Sequence, residues 1–366
     1  MNRNLQLVFG IVLLVTLGGP SLAQEQADLP PAINGNPGIN LGNGGSAPCP
    51  PLEKFQPTRP DPPGQATRVE IGMILASVDE INDVEQSITA DIYQIMRWRD
   101  PRLAEPARGD AQAVCTLPEG RAWRPLLQIE GIRSLDKPYA DIVLINAQGD
   151  VTLIERLYLT AAARLDLRDF PFDKHVVKVH LASISASVEE LELVPFSGMS
   201  GKLDRVSISG WDLGEVTGEV SVEHAPRLNM DMPWFHLVIP VKREWGFYIW
   251  KTIFPLTAIV FMSWAVFWIT PDSIPPRTSL AATSMLSMIA YLFALTTMLP
   301  RISYLTRADR FTVGAAILIF IALVEVITTT SFAKSGRVEL GDIVNHWSRI
   351  VFPIAFVVIF VFSFVI

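Results

Sequence analysis

From Thr67 to Arg243 polar and apolar residues alternate in short runs, then give way to four long apolar stretches. Val179 and Leu181 alternate with Lys178 and His180. Phe235, Leu237, Ile239 and Val241 recur at every second position between 234 and 241. A period of two places successive side chains on opposite faces of a strand. Similar runs near 69–75, 87–98, 139–146, 151–159, 190–194 and 216–223 predict further strands, with Asn146-Ala147-Gln148-Gly149-Asp150 as a hairpin turn. So many short strands without a long helix predict a β-sandwich over 66–245. After Arg243 the pattern changes to apolar spans at about 248–269, 279–299, 311–331 and 347–366, each long enough to cross a bilayer as a helix. The expected architecture is a β-sandwich followed by an all-α, four-helix transmembrane domain.

The second span differs from the others. Ser279, Thr283, Leu286, Ala290, Phe293 and Thr297 recur at steps of four and three, so they share one helical face. That face is hydroxylic at both ends and apolar in the middle. Several copies around an axis would line a water-filled tube with a hydrophobic constriction. The competing explanation is an ordinary membrane helix whose Ser and Thr bond back to their own backbone. Pro255 interrupts the first span. The third carries Glu325, a carboxylate expected to face protein or water rather than lipid.

With 49% hydrophobic and 18% charged residues, the composition suits a membrane protein carrying a folded soluble part. Arg3, the apolar run from Leu7 to Leu17 and the small residues Ser21-Leu22-Ala23 predict a signal peptide over 1–23, hence an exported sandwich. Export in turn places the 300–310 loop and the C-terminus outside. Residues 24–65, rich in Pro, Gly and Asn, read as a flexible tail. The two cysteines, Cys49 and Cys115, are permitted a disulfide by export, and spacing leaves that pairing open. His175 and His180 stand five apart on a strand and point to opposite faces, poor geometry for a metal. No phosphate loop, metal cluster, catalytic constellation or nucleic-acid signature is present, so no cofactor, enzyme activity or nucleic-acid partner is expected.

Several motifs, in order, carry a resemblance. They are Trp98-Arg99-Asp100, Trp123-Arg124-Pro125, Asp169-Phe170-Pro171-Phe172-Asp173, Arg243, Pro255 with Ser263-Trp264, and Leu299-Pro300-Arg301 with Tyr304. Together they resemble the pentameric ligand-gated ion channels, the Cys-loop receptor superfamily, in its bacterial form. The family's signature loop, matched here by Asp169-Phe170-Pro171-Phe172-Asp173, lacks flanking cysteines, since Cys49 and Cys115 lie elsewhere, and the loop between the last two spans is short.

The resemblance implies a homopentamer in a bacterial inner membrane, with the second span of each chain lining one pore. The pore-facing positions fall on Ser279, Thr283, Leu286, Ala290, Phe293 and Thr297, and the gate on Leu286, Ala290 and Phe293. Pro275-Pro276-Arg277 resembles the mouth of anion-selective glycine and GABA receptors. With no Asp or Glu between Ser273 and Ala308, this implies chloride selectivity. Asp272, just outside, leaves a cation-selective alternative. Agonist, a small molecule or a proton, is expected between neighbouring sandwiches, near Tyr93 and the 222–234 hairpin with Trp234. The pore-helix histidine of a proton-gated bacterial relative is replaced by Met288. Coupling is expected where Arg243 pairs with Asp79, Glu80 and Asp173 while Pro171 and Phe172 press on the 300–305 loop with Pro300 and Tyr304. A non-conducting membrane-anchored sensor is the remaining alternative.

Overall fold

The computed structural model describes residues 48–106, 109, 112–184, 186–226, 228–270, 273–296 and 302–365. The expected signal peptide, the tail before residue 48, Asp272, Thr297, Leu299, Pro300 and Arg301 lie outside the described residues.

Two sheets form the first part. The larger has the order β10-β1-β2-β7-β6-β3, built on β1 (Thr67–Asn82), β2 (Ser87–Arg99), β3 (Ala113–Cys115), β6 (Ile142–Ile145), β7 (Asp150–Ala162) and β10 (Gly201–Lys202). Two further strands join it, β5 (Ile132–Asp136) on β7 and β9 (Leu191–Pro195) on β1. The smaller sheet has the order β11-β13-β8-β4, with β12 also on β13. Its members are β4 (Leu127–Ile129), β8 (Lys174–Ser183), β11 (Trp211–Leu213), β12 (Thr217–Ala225) and β13 (Met230–Arg243).

The alternation in the sequence is the reason the sheets face each other. Val179 and Leu181 on β8 and Phe235, Leu237, Ile239 and Val241 on β13 are buried in the core shared with Ile71, Met73 and Leu75 of β1. On β8 the opposite-parity residues Val176 and Lys178 are exposed. The expected hairpin turn joins β6 to β7. Gly149 adopts φ +83 there, and a Cβ would stand 2.5 Å from the Asp100 carbonyl oxygen, so glycine is required on both counts. The strands of two or three residues, β3, β4, β10 and β11, are too short for a period to register, and the sequence pattern does not announce them.

Four helices follow: α1 (Gly246–Trp268), α2 (Ile274–Thr296), α3 (Arg307–Lys334) and α4 (Val338–Phe364). All are long and apolar enough to cross a membrane. Their bounds run beyond the apolar spans at the entry ends, because helix geometry continues into polar first turns. Pro275 and Pro276 occupy the first turn of α2, where missing N–H groups cost nothing. Thr306 and Asp309 form a reciprocal capping box at the start of α3. In α4 the amphipathic segment from Val338 precedes the apolar run. The helices pack around Leu256, Val260, Phe267, Met288, Phe311, Ile319 and Phe352.

Candidate functional site

Two regions combine chemistry with position: one face of α2, and the junction between sandwich and helices.

On α2, Arg277, Ala281, Ser284 and Met288 are buried against the other helices. At 100° per residue these positions cluster about 180° from Ser279, Thr283, Leu286, Ala290 and Phe293. All five of the latter are exposed in a single chain, with Leu286 at 67% and Phe293 at 71%. The Thr283 hydroxyl donates to the Ser279 carbonyl at 2.8 Å, which leaves its lone pairs outward. Tyr291 Oη donates to the Thr252 carbonyl at 2.8 Å and ties α2 to α1.

Arg277 is a correction to the expected mouth. Its side chain is fully buried and donates to Glu325 Oε2 at 3.0 Å and to Asn345 Oδ1 at 3.0 Å. The reason is angular: it stands two residues before Ser279 and so points about 200° away from that stripe. Pro275 and Pro276 are exposed. Glu325 faces protein, as a carboxylate at that depth must.

At the junction, Arg243 ends β13 with its side chain 1% exposed, and each of its five N–H donors has a partner. Nε and Nη2 reach Asp173 Oδ1 and Oδ2 at 2.8 and 3.0 Å. Nη1 and Nη2 reach Asp83 Oδ2 and Oδ1 at 2.7 and 2.8 Å, and Nη1 also reaches Tyr248 Oη at 3.1 Å. The rings of Trp211, Phe170 and Tyr248 surround the guanidinium, Trp211 closest at 4.1 Å. Burial alone would lower the Arg243 pKa and raise that of Asp173. The hydrogen bonds to Asp83 and Asp173 outweigh it for Arg243, and those from His175 and Arg243 outweigh it for Asp173, so both charges are reinforced.

Asp79 and Glu80 do not join this cluster. Asp79 accepts from Tyr158 Oη at 2.8 Å and Glu80 from Asn82 Nδ2 at 2.8 Å. Both sit within β1, which continues to Asn82, so the carboxylate that reaches the junction is the first residue past the strand, Asp83. His175, whose Nε2 lies 2.5 Å from Asp173 Oδ2, is the other partner that sequence reasoning missed.

Among the described residues, the ring of Phe172 packs on those of Trp245 and Phe364. Tyr304 Oη accepts the Leu167 N–H at 3.0 Å, and the Arg307 and Ala308 N–H groups donate to the Arg168 and Phe170 carbonyls. Arg307 Nε binds Asp169 Oδ1 at 2.8 Å while its Nη1 binds the Phe364 carbonyl at 2.8 Å. Sandwich, post-α2 segment and the end of α4 therefore meet on one side of the bundle.

Tyr93 and Trp234 lie on different sheets and do not meet within one chain. Beside Tyr93, Arg156 pairs with Asp91 at 2.7 Å and lies over the rings of Tyr93 and Tyr139. Burial raises the Tyr93 pKa, and Arg156 partly offsets it. Trp234 stacks on His236, whose Nδ1 lies 2.7 Å from Nδ1 of His180. A cavity of 320 Å3 opens between β2, β7 and the 124–137 segment, with Glu155 held by Lys137 and Gln94 on its wall. Cys49 and Cys115 are joined as a disulfide. Among the described residues no cluster of His, Cys, Asp and Glu is suited to a metal.

Comparison with known proteins matches residues 54–229 to the neurotransmitter-gated ion-channel ligand binding domain and 252–339 to the neurotransmitter-gated ion-channel transmembrane region. The chain is 24% identical to the proton-gated ion channel of Gloeobacter violaceus over 84% of its own length and 86% of that protein. It is 27% identical to glycine receptor subunit beta of Homo sapiens over 73% of its length, spanning 55% of the receptor subunit. Against gamma-aminobutyric acid receptor subunit gamma-1 of Rattus norvegicus the identity is 25% over 76% of this chain and 61% of the relative. Sandwich and helical parts are matched separately and in the same order, and the chain belongs to the Cys-loop superfamily of pentameric ligand-gated ion channels.

Proposed function

We propose that five copies of this chain assemble around the exposed stripe of α2 and form a ligand-gated ion channel in a bacterial inner membrane, with the sandwich on the periplasmic side. The observation that carries this is the opposition of the two faces of α2. One face is packed against its own chain, and the other leaves Leu286 and Phe293 largely uncovered beyond the exposed hydroxyl residues Ser279 and Thr283. Five Leu286 side chains, with Ala290 and Phe293 beyond them, offer no hydrogen bond to water or to a hydrated ion, so a narrow ring stays dry and closed. Thr297 would continue the lining.

Agonist binding between neighbouring sandwiches, near Tyr93 of one chain and the Trp234 hairpin of the next, opens the gate. The signal travels through Arg243, Asp83 and Asp173 to the 302–308 segment. The agonist is a small molecule or a proton, the latter in line with the name of the Gloeobacter relative.

Chloride is the proposed permeant ion, supported by the absence of Asp and Glu from Ser273 to Ala308. Burial of Arg277 against Glu325 removes a positive ring from that reasoning and favours cation passage as the second reading. Reversal potentials in planar bilayers under a KCl gradient, with Leu286→Ala to weaken the gate, separate the two. A value near the chloride equilibrium potential supports the first, and one near the potassium value supports the second. Absence of current from an assembled pentamer would favour a non-conducting sensor.

A further inference from the structure

Arg277 is the one charged residue of α2, and it belongs to a polar network at the end of the bundle away from the sandwich. Its Nη2 is shared among both Glu325 oxygens, at 3.2 and 3.0 Å, and Asn345 Oδ1 at 3.0 Å. Asn345 Nδ2 donates to the Phe267 carbonyl at 2.8 Å, and Arg349 Nε donates to the same oxygen at 2.9 Å. Trp264 Nε1 in turn donates to the Arg349 carbonyl at 3.1 Å. Phe267 is on α1, Arg277 on α2, Glu325 on α3, and Asn345 and Arg349 on α4, so one network joins all four helices. It also satisfies a carbonyl at the end of α1 that the helix itself leaves open.

Burial of Arg277 is complete within a single chain, and adding further copies cannot uncover it. Among the described residues its Nε and Nη1 find no partner, which makes Glu325 its counter-charge. A guanidinium away from water is tolerated only while paired, and a paired one presents a dipole rather than a net charge to its surroundings. A displacement of the inner end of α2 relative to α3 and α4 would leave both charges buried and uncompensated.

We propose that Arg277, Glu325 and Asn345 form a neutral clamp that fixes the inner end of α2 to α3 and α4. Arg277 is thus a positioning residue of the inner mouth and not a charge presented to permeating ions. A basic residue at this place sets where the mouth is held, and the ions sense the exposed Pro275 and Pro276 instead.

A double-mutant cycle on the purified full-length protein tests the clamp by thermal unfolding of Arg277→Gln, Glu325→Gln and the combined variant. Each single substitution is expected to lower Tm, and the combined variant to recover most of the loss, since it leaves no unpaired charge. Arg277→Lys keeps the charge but loses the fork and is expected to lower Tm as well. In the Leu286→Ala background, the combined Gln variant is expected to keep the parent chloride-to-potassium permeability ratio. Only this arm rests on the channel reading above. Additive Tm losses with no recovery would overturn the clamp. A change of about tenfold or more in the ratio, the scale on which a charged cleft concentrates ions, would overturn the positioning role. If the Leu286→Ala parent itself passes no current, the channel reading fails and the melting cycle alone decides the clamp.

Discussion

The guanidinium of Arg243 meets the carboxylate of Asp173 in a two-bond fork, Nε to Oδ1 at 2.8 Å and Nη2 to Oδ2 at 3.0 Å, with both side chains 1% exposed. Asp83 takes the remaining edge of the same guanidinium. Two carboxylates from separate segments of the sandwich thus converge on the last residue of β13.

Removing one partner of such a buried pair should be costly. Arg243→Gln is expected to destabilise the sandwich by about 3–5 kcal/mol, because two carboxylates lose their counter-charge. Asp83→Asn should cost about 1.5–3 kcal/mol. Asp79→Asn and Glu80→Gln, lying away from the cluster, should stay within about 0.5 kcal/mol. Chemical denaturation of the purified variants, followed by agonist- or acid-evoked current, checks both stability and coupling. Equal effects at Asp79 and Asp83 would contradict the geometry.

Acid should act on the sandwich in a defined order. The Asp173 carboxyl lies below its ordinary value of 3.8 in the folded state, so its contribution is present above that value and is lost only as pH falls through the lower folded one. Burial, and then the neighbouring His180, hold His236 below its ordinary 6.5. A histidine depressed in this way favours the folded state when neutral, and that contribution is lost as pH falls below 6.5 through its folded value. The first acid loss in Tm should therefore come from His236 and vanish in His236→Gln. Asp173→Asn should leave the slope near about pH 5–6 unchanged. Thermal unfolding scanned across pH reads both.

The proposed apolar ring predicts a change of function without a change of fold. Leu286→Thr shortens the side chain and adds a hydroxyl that can hydrogen-bond water, so resting ion flux should rise. Leu286 is exposed in the single chain, so the same change should alter the stability of one subunit little. Fluorescent flux assays in proteoliposomes, beside melting curves, would show a leak without unfolding. An unchanged resting flux would argue against a constriction at this position.

The disulfide joins the segment before β1 to β3 across 66 residues. Chain entropy assigns a loop of this length up to about 4 kcal/mol of stabilisation. Cys49→Ser is expected to lower the unfolding midpoint of the sandwich and leave the helical transition in place. Tryptophan fluorescence at increasing denaturant checks it, and an unshifted midpoint would show that other contacts hold the segment.

Much of the architecture was legible because it depends on short periods. A strand repeats every two residues and a helix every 3.6, so the inward faces of β8 and β13 and the exposed stripe of α2 follow from local order alone. The four helices follow from length and apolarity. Arg277 was legible too, since two steps from Ser279 on a helix is nearly the opposite face.

What the sequence by itself determined is the class of the longer segments, the inward faces of β8 and β13, the stripe of α2 and the order of sandwich and helices. Tertiary structure alone decided the partners. Asp83 rather than Asp79 meets Arg243 because β1 continues to Asn82 before the chain turns. His180 and His236 touch because cross-strand register sets residues 56 apart side by side. Glu325 and Asn345 close on Arg277 because three helices bring them to one point. Periodicity is a property of neighbours along the chain. Charge pairing across long separations depends on register, strand ends and helix packing, which only the folded chain specifies.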